Sequence, residues 1–237
     1  MNSKTKMHYI DNKRIISPVD TLNTLPQDYE KVLRSDFLAS YSEKLDVWTE
    51  ETAMQHASTI LHTHLARPSD VLDVGAGRGR DTQFLLSQGH RVTAVDLIEL
   101  PEWPQLIQNW GNQVQFRAVP VIELDGKALF DGVLDNGCLH HQHPDEYVVY
   151  LRRIHSLLRP TGFFTISVFE SKRPGKLYVN KAQRLYREFT ESELTELLSI
   201  ENFTLVSVHR VPRPTTDLNY LVMTVSKSAP TETRISP

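Results

Sequence analysis

The stretch Val71-Leu72-Asp73-Val74-Gly75-Ala76-Gly77-Arg78-Gly79-Arg80 constrains the fold of this chain more than any other. Residues with the apolar content of a buried strand run into three glycines spaced two apart, and a helical pattern opens behind them. Glycines at such a turn let the backbone bend sharply and approach a ligand with no Cβ in the way. Asp96 follows twenty-three residues after Asp73, at the end of a second apolar strand, Arg91 to Val95. Strand, glycine turn, helix, strand and acid describe the first half of an open α/β sheet.

The rest of the chain extends that pattern. Residues 1–28 are mostly polar and predict a loose arm, with Ile10, Ile15, Ile16 and Leu22 available to pin it and a short turn near Ile15 to Leu22. Tyr29, Val32, Leu33, Phe37, Leu38, Tyr41 and Leu45 recur at spacings of three and four, which predicts one or two short amphipathic helices ending near Trp48. A helix capped by Thr49 with Thr52 is expected over 50–66, broken by Pro68. After the glycine turn, a helix closes at Gly89 and another fills the interval from Leu97 to Trp110. Further strands are predicted at 114–119, 130–134 and 163–169, with a helix from Pro144 to Leu158 between the last two. Residues 170–187 read as a basic, irregular insertion. Thr190 and Glu193 form a capping box for a helix to about Ile200. Two final strands, 203–209 and 220–225, fit an antiparallel pair before a tail at 228–237. The domain organisation expected is therefore an arm and possible substrate lid at 1–48, a ligand-binding domain at 49–227 and the tail. Strands alternating with helices imply a mostly parallel sheet covered on both faces.

The glycine turn follows a strand, precedes a helix and is matched by an acid ending the next strand, which together point to a nucleotide-type ligand. Turn amides can meet its electronegative atoms, and Asp96 can accept hydrogen bonds from two vicinal ribose hydroxyls. Gly75, Gly77 and Gly79 give G-x-G-x-G rather than the dinucleotide G-x-G-x-x-G, and no phosphate loop with its G-K-[ST] is present. A carboxylate at Asp73, in the strand end, would repel a pyrophosphate and suit a ligand with an ammonium group.

This run resembles motif I of class I S-adenosylmethionine-dependent methyltransferases. Val92 to Asp96, Phe130-Asp131-Gly132-Val133-Leu134-Asp135, Leu158-Arg159-Pro160-Thr161-Gly162-Phe163, and Arg187 to Leu194 with Phe203 are similar to the family's later segments. The resemblance covers roughly 50–226. It implies a Rossmann-like, seven-stranded, mostly parallel sheet of order 3-2-1-4-5-7-6 with helices on both faces. It implies S-adenosylmethionine as methyl donor, with S-adenosylhomocysteine as its product, and a small-molecule acceptor. Asp73, Gly75, Ala76 and Gly77 would line the methionine part, Asp96 the ribose, Leu97 the adenine face, and Ala118 and Val119 its edge. Asp135 and Asn136 would lie at the methionine end. Family members often place an acid after strand three; Ala118, Val119 and Pro120 stand here, with Glu123 as a substitute. The loop from Asp135 to His140 is also similar to the D-R-G-x-L loop of the thiopurine and tellurite-resistance branch, with Asn136 in place of the arginine.

The loop Asp135-Asn136-Gly137-Cys138-Leu139-His140-His141-Gln142-His143 should face the acceptor. Its histidines lack distant partner ligands, so no metal is expected. His140 and Asp135 are the candidates for proton transfer, although an activated sulfonium donor does not require a base. His141 reads as structural, hydrogen-bonded near the helix that starts at Pro144, and Cys138 as a small buried side chain rather than a nucleophile. Tyr41, His140, Lys172, Arg173 and Tyr178 are the expected acceptor contacts. The basic pair among them would recognise a carboxylate or phosphate. A formal charge of −3 gives no basis for a nucleic-acid or membrane surface. One cysteine excludes an intramolecular disulfide, and a cytoplasmic protein is expected. The competing readings are methylation of a protein or RNA and a non-catalytic binding protein on the same fold.

Overall fold

In a computed structural model, residues 8–11, 14–19, 22, 25–214 and 218–228 are described. The predicted tail from Ala229 onward lies outside them, as do parts of the arm. Strands β1 (His8–Asp11) and β2 (Arg14–Pro18) come first, then helix α1 (Pro26–Ser42). Next are α2 (Gln55–His64), β3 (Asp70–Val74), α3 (Arg80–Ser87), β4 (Arg91–Val95), α4 (Trp103–Trp110) and β5 (Val114–Arg117). The second half holds β6 (Phe130–Asn136), α5 (Tyr147–Leu157), β7 (Leu158–Glu170), β8 (Leu177–Val179) and β9 (Leu185–Phe189). The chain closes with α6 (Glu191–Ile200), β10 (Phe203–Pro212) and β11 (Asn219–Lys227).

The main sheet runs β5-β4-β3-β6-β7-β11-β10. Counted along the main sheet this is 3-2-1-4-5-7-6. The first five strands are parallel, and β11 is antiparallel to both neighbours. Side-chain alternation along each strand divides the core between two faces. Leu72 and Val74 of β3, Phe164, Ile166 and Val168 of β7, and Leu221 and Met223 of β11 pack under α5 and α6. Val71, Leu134, Phe169, Tyr220 and Val222 face the other way, with α2, α3 and α4. β7 is buried without a break from Phe164 to Glu170, as its central position requires.

Local chemistry explains the helix ends. Pro26 opens α1 and Asp28 sits in its first turn, where the helix dipole favours an acid. α1 is one helix of 17 residues, not two short ones. The 50–66 helix begins only at Gln55, after a 3-10 turn at Thr52–Met54, with no side-chain cap. The capping box is formed: Thr190 Oγ1 accepts the Glu193 N–H at 3.2 Å, and Glu193 accepts the Thr190 N–H at 2.9 Å.

The expected irregular insertion is the main correction to the sequence reading. Leu177, Tyr178, Val179 and Leu185, Tyr186 are strand-forming residues around a turn, and they pair as β8 and β9. β9 joins the main sheet beside the end of β7, and β2 adds to β8. The part of the arm near Ile15 is thus a strand, not a turn. This small sheet carries α1 across the carboxyl ends of the main strands. The Tyr29 hydroxyl donates to the His141 carbonyl at 2.8 Å and accepts the Leu185 N–H at 2.7 Å. Arg184, fully buried, pairs with Asp36 at 3.0 Å and lies 4.2 Å from the centre of the Phe37 ring. Arg34 reaches the Leu97 carbonyl on the other side. Among the described residues no helix is long and apolar enough to cross a membrane.

Candidate functional site

Beneath α1, over the carboxyl ends of β4, β3, β6, β7 and the start of β11, lies an open cavity of about 1480 Å³ including the solvent space at its mouth. Its two ends differ in chemistry. One is lined by Gly75, Val95, Asp96, Leu97 and Val119 to Ile122. The other is lined by Phe37, Tyr41, Trp48, Glu51, His140, His141, Phe169 and Tyr220. Cys138 and Asn136 stand between them.

The glycine turn is built for close approach. Gly75 has φ +69° and Gly77 φ +52°, a region that side chains avoid. A Cβ on Gly75 would sit 1.9 Å from Cys138 Sγ, and one on Gly77 would sit 2.9 Å from the Tyr41 hydroxyl. Gly75 and Ala76 donate to the Val95 carbonyl at 2.8 and 3.1 Å, and the Trp103 indole donates to the Gly77 carbonyl at 2.9 Å. Asp96 accepts the Gly77 N–H at 2.8 Å on one oxygen and the Ile98 N–H at 3.0 Å on the other. The Leu97 amide also bonds this carboxylate, which keeps acceptor capacity for a ligand at the cavity wall. Burial raises the Asp96 carboxyl above its ordinary range, against the pull of those amides. Arg78 ties the turn to its surroundings, bonding Asp46 at 2.7 Å, Glu102 and the Tyr41 carbonyl.

Asp73 points away from this surface, into the sheet–helix interface. It accepts the Thr82 hydroxyl at 2.6 Å, and burial beside the Asp81 charge pushes its carboxyl up to about 7. It does not line the cavity. Asn136 donates to the Met54 carbonyl at 2.7 Å and to Asp81 at 2.9 Å. Asp81 also receives the Ser58 hydroxyl at 2.7 Å.

Asp135 is fully buried, and the structure does not place it as a base. Its oxygens accept the amides of Gly137 at 3.2 Å, Cys138 at 2.6 Å and Leu139 at 3.1 Å, and the Tyr150 hydroxyl at 2.8 Å. Those four donors fill the acceptor capacity of a carboxylate, so the group shapes the loop and is turned away from the cavity. Burial still lifts it to about 6.

His140 does line the cavity. Its ring stacks on Phe169 at 3.9 Å and 22°, and Nδ1 has no partner among the described residues. Burial, with Arg213 and Arg184 nearby, holds its pKa well below 6.5, so the imidazole is neutral. His141 bonds the Leu185 carbonyl through Nδ1 at 2.7 Å, so its structural partner is β9 rather than the helix after Pro144. Among the described residues there is no metal-binding cluster.

Of the expected site residues, the fold brings Gly75, Asp96, Leu97, Val119, Asn136, Tyr41 and His140 to one cavity. Ala76 and Gly77 hold the turn from behind, and exposed Ala118 only precedes the lining residue Val119. Glu123 is exposed and outside the lining. Lys172, Arg173 and Tyr178 are not brought there. Lys172 lines a shallow groove with Glu191 and Arg210, Arg173 is exposed, and Tyr178 is buried in the small sheet opposite Tyr186. The reason is the β8–β9 pairing, which turns the segment outward after β7. Sequence reasoning missed Glu51, Phe169 and Tyr220. Phe169, at the carboxyl end of a central strand, was recoverable from the ligand-edge rule; Glu51 carries no such signal.

Residues 48–208 match the family model described as "Methyltransferase domain". The chain belongs to this methyltransferase family. It is a class I, S-adenosylmethionine-dependent enzyme that transfers a methyl group to a small molecule. A solved structure from Burkholderia thailandensis is 64% identical over 94% of this chain and 99% of that one, with a TM-score of 0.92. It is a 1,6-didemethyltoxoflavin-N1-methyltransferase with bound 1,6-didemethyltoxoflavin and S-adenosylhomocysteine. Magnesium protoporphyrin IX methyltransferase from Synechocystis PCC 6803, with bound S-adenosylmethionine, is 18% identical over 88% of this chain and 100% of that one, with a TM-score of 0.66. The N-methyltransferase NodS from Bradyrhizobium japonicum is 16% identical over 77% and 98%, with a TM-score of 0.58. These last two show the shared fold alone. No curated protein matches the chain.

Proposed function

We propose that this methyltransferase alkylates a ring nitrogen of a planar, nitrogen-rich, two-ring heterocycle of the 1,6-didemethyltoxoflavin kind. The observation that carries the reading is the 64% identity over nearly the whole chain to an enzyme of that specificity. The cavity supports it. Its acceptor end is walled by Phe37, Trp48, His140, Phe169 and Tyr220, flat groups suited to a flat ring. Among the described residues no lysine or arginine lines it, which fits an acceptor without a carboxylate or phosphate.

The residues divide into roles. Asp96 accepts the ribose hydroxyls, and Leu97 with Val119 to Ile122 brackets the adenine. The Gly75 backbone meets the amino-acid portion beside Tyr41. Asp73 and Asp135 act through structure, Asp73 by fixing α3 behind the turn and Asp135 by shaping the loop that carries Asn136 and His140. S-adenosylmethionine supplies an activated methyl on a sulfonium. The protein's task is then alignment and exclusion of water, for which α1 acts as a roof. A neutral His140 beside Phe169 orients the acceptor by stacking and by a hydrogen bond through Nδ1.

The test is turnover of S-adenosylmethionine with 1,6-didemethyltoxoflavin, read by mass spectrometry, alongside calorimetric titration with S-adenosylhomocysteine. A product heavier by one CH₂, methylated on nitrogen, is expected. Binding of S-adenosylhomocysteine with transfer only to phenols, thiols or acids would overturn the acceptor class.

A further inference from the structure

The aromatic end of the cavity contains one carboxylate that the roles above leave unused. Glu51 lines it, and both oxygens share the Tyr220 hydroxyl at 3.1 Å. A carboxylate offers about four acceptor positions, so most of this group's capacity remains. Tyr220 is itself fixed. Its ring lies 6.0 Å from Phe169 at 30°, and its hydroxyl receives a hydrogen bond from Arg213. The other lining carboxylates are placed differently. Glu30 is paired with Arg34 at 2.8 Å, Asp96 is bound by turn amides, and Glu146 lies beside Glu30 and His143.

Topology sets the separation. Tyr220 faces Phe169 across β11 and β7, whereas the glycine turn ends β3, and β6 and β7 lie between. Three strand spacings are about 14 Å, room for the methionine end of the donor and a two-ring heterocycle together between the glycine turn and Glu51. We infer that Glu51, braced by Tyr220, accepts a hydrogen bond from a ring N–H of the acceptor on the side away from the methyl donor. It thereby selects heterocycles with a free N–H at that position over those alkylated there. The inference rests on the acceptor class proposed above and adds the residue that reads it.

The experiment uses the full chain with saturating S-adenosylmethionine. Two acceptors are compared: 1,6-didemethyltoxoflavin and its analogue carrying a methyl on the ring nitrogen that is not the transfer site. Glu51→Ala is expected to raise KM for the first by roughly 10–100-fold, the worth of a hydrogen bond to a charged group. The change in kcat should be smaller, and the S-adenosylhomocysteine Kd should not change. On the N-methylated analogue, variant and wild type should perform alike, since the contact is already gone. Glu51→Gln, which keeps the shape and one acceptor oxygen, should recover part of the loss and carries the test if the alanine variant fails to fold. An unchanged KM, an equal loss on both acceptors, or a shifted S-adenosylhomocysteine Kd would overturn the inference alone. A wild type that binds S-adenosylhomocysteine but methylates neither heterocycle would overturn the acceptor class and this inference with it.

Discussion

Replacing Gly75 by alanine tests whether the glycine turn is set by its contact with Cys138. Two costs combine at that position. The backbone has φ +69°, where a side chain costs about 1–2 kcal/mol. The new Cβ would fall 1.9 Å from Cys138 Sγ, against a normal separation of roughly 3.5–4.0 Å. The thiol must therefore move, giving up its 3.3 Å contact with the Val74 carbonyl. Overpacking of this kind costs about 1–3 kcal/mol, so Gly75→Ala should destabilise the protein by about 2–5 kcal/mol in urea unfolding. Cys138→Ala alone should cost only about 1 kcal/mol, for one small, partly buried group. The double variant should be more stable than Gly75→Ala, with a favourable coupling of about 1–3 kcal/mol, because the added methyl occupies the vacated space. Affinity for S-adenosylhomocysteine, measured by calorimetry, should fall in Gly75→Ala and recover in the double variant. Additivity of the two substitutions within about 0.3–0.5 kcal/mol would refute the contact as the reason for glycine.

Asp96→Ala should weaken S-adenosylhomocysteine binding by about 10–100-fold and, because the Gly77 and Ile98 amides lose their acceptor, should also lower stability by about 1–3 kcal/mol in urea unfolding. The pH profile of kcat/KM should show no inflection near 6.5 that His140→Asn removes, because burial keeps that imidazole neutral; such an inflection would make His140 a titrating base. Asp73 has a folded pKa of about 7 against an ordinary 3.8, so the native state holds its proton more tightly. Its contribution is therefore greatest below about pH 4 and is lost as pH rises to about 7. Asp73→Asn should gain on wild type over that window in urea titrations of the ligand-free protein, and a constant or shrinking gap would contradict the assignment. Asp36→Ala removes the carboxylate from a buried guanidinium and should cost about 3–5 kcal/mol, read as a lower melting temperature.

The central sheet was legible because its strands carry their own signals. Val71 to Val74 and Phe163 to Phe169 are apolar runs bounded by turn residues, and Thr190 with Glu193 announces its helix in four residues. The glycine turn and Asp96 were legible for the same reason: both signals are local in sequence. The acceptor end was not. Glu51 meets Tyr220 from 169 residues away, and Tyr29 meets Leu185 from 156. No periodicity records such pairings. Lys172 and Arg173 show the converse. They follow a central strand at the ligand edge, yet the β8–β9 pairing carries them outward, because backbone pairing outweighs the placement of exposed charges.

The groups proposed for the methyl donor sit on the strand ends and turns of β3, β4 and β6, held by backbone hydrogen bonds that tolerate little change. The acceptor wall is assembled from α1, the segment around Trp48, the start of β11 and the loop packed on β9. These parts meet through a few buried polar links, chiefly Asp36 with Arg184 and Tyr29 with His141 and Leu185. Loss of one such link would tilt the roof over both reactants without touching either. Substitutions there should therefore alter acceptor KM and water exclusion before they alter donor affinity, whereas those at Gly75 or Asp96 should do the reverse. Under the proposed acceptor class, specificity therefore belongs to the elements that close over the carboxyl ends of the strands, and delivery of the methyl group to the sheet itself.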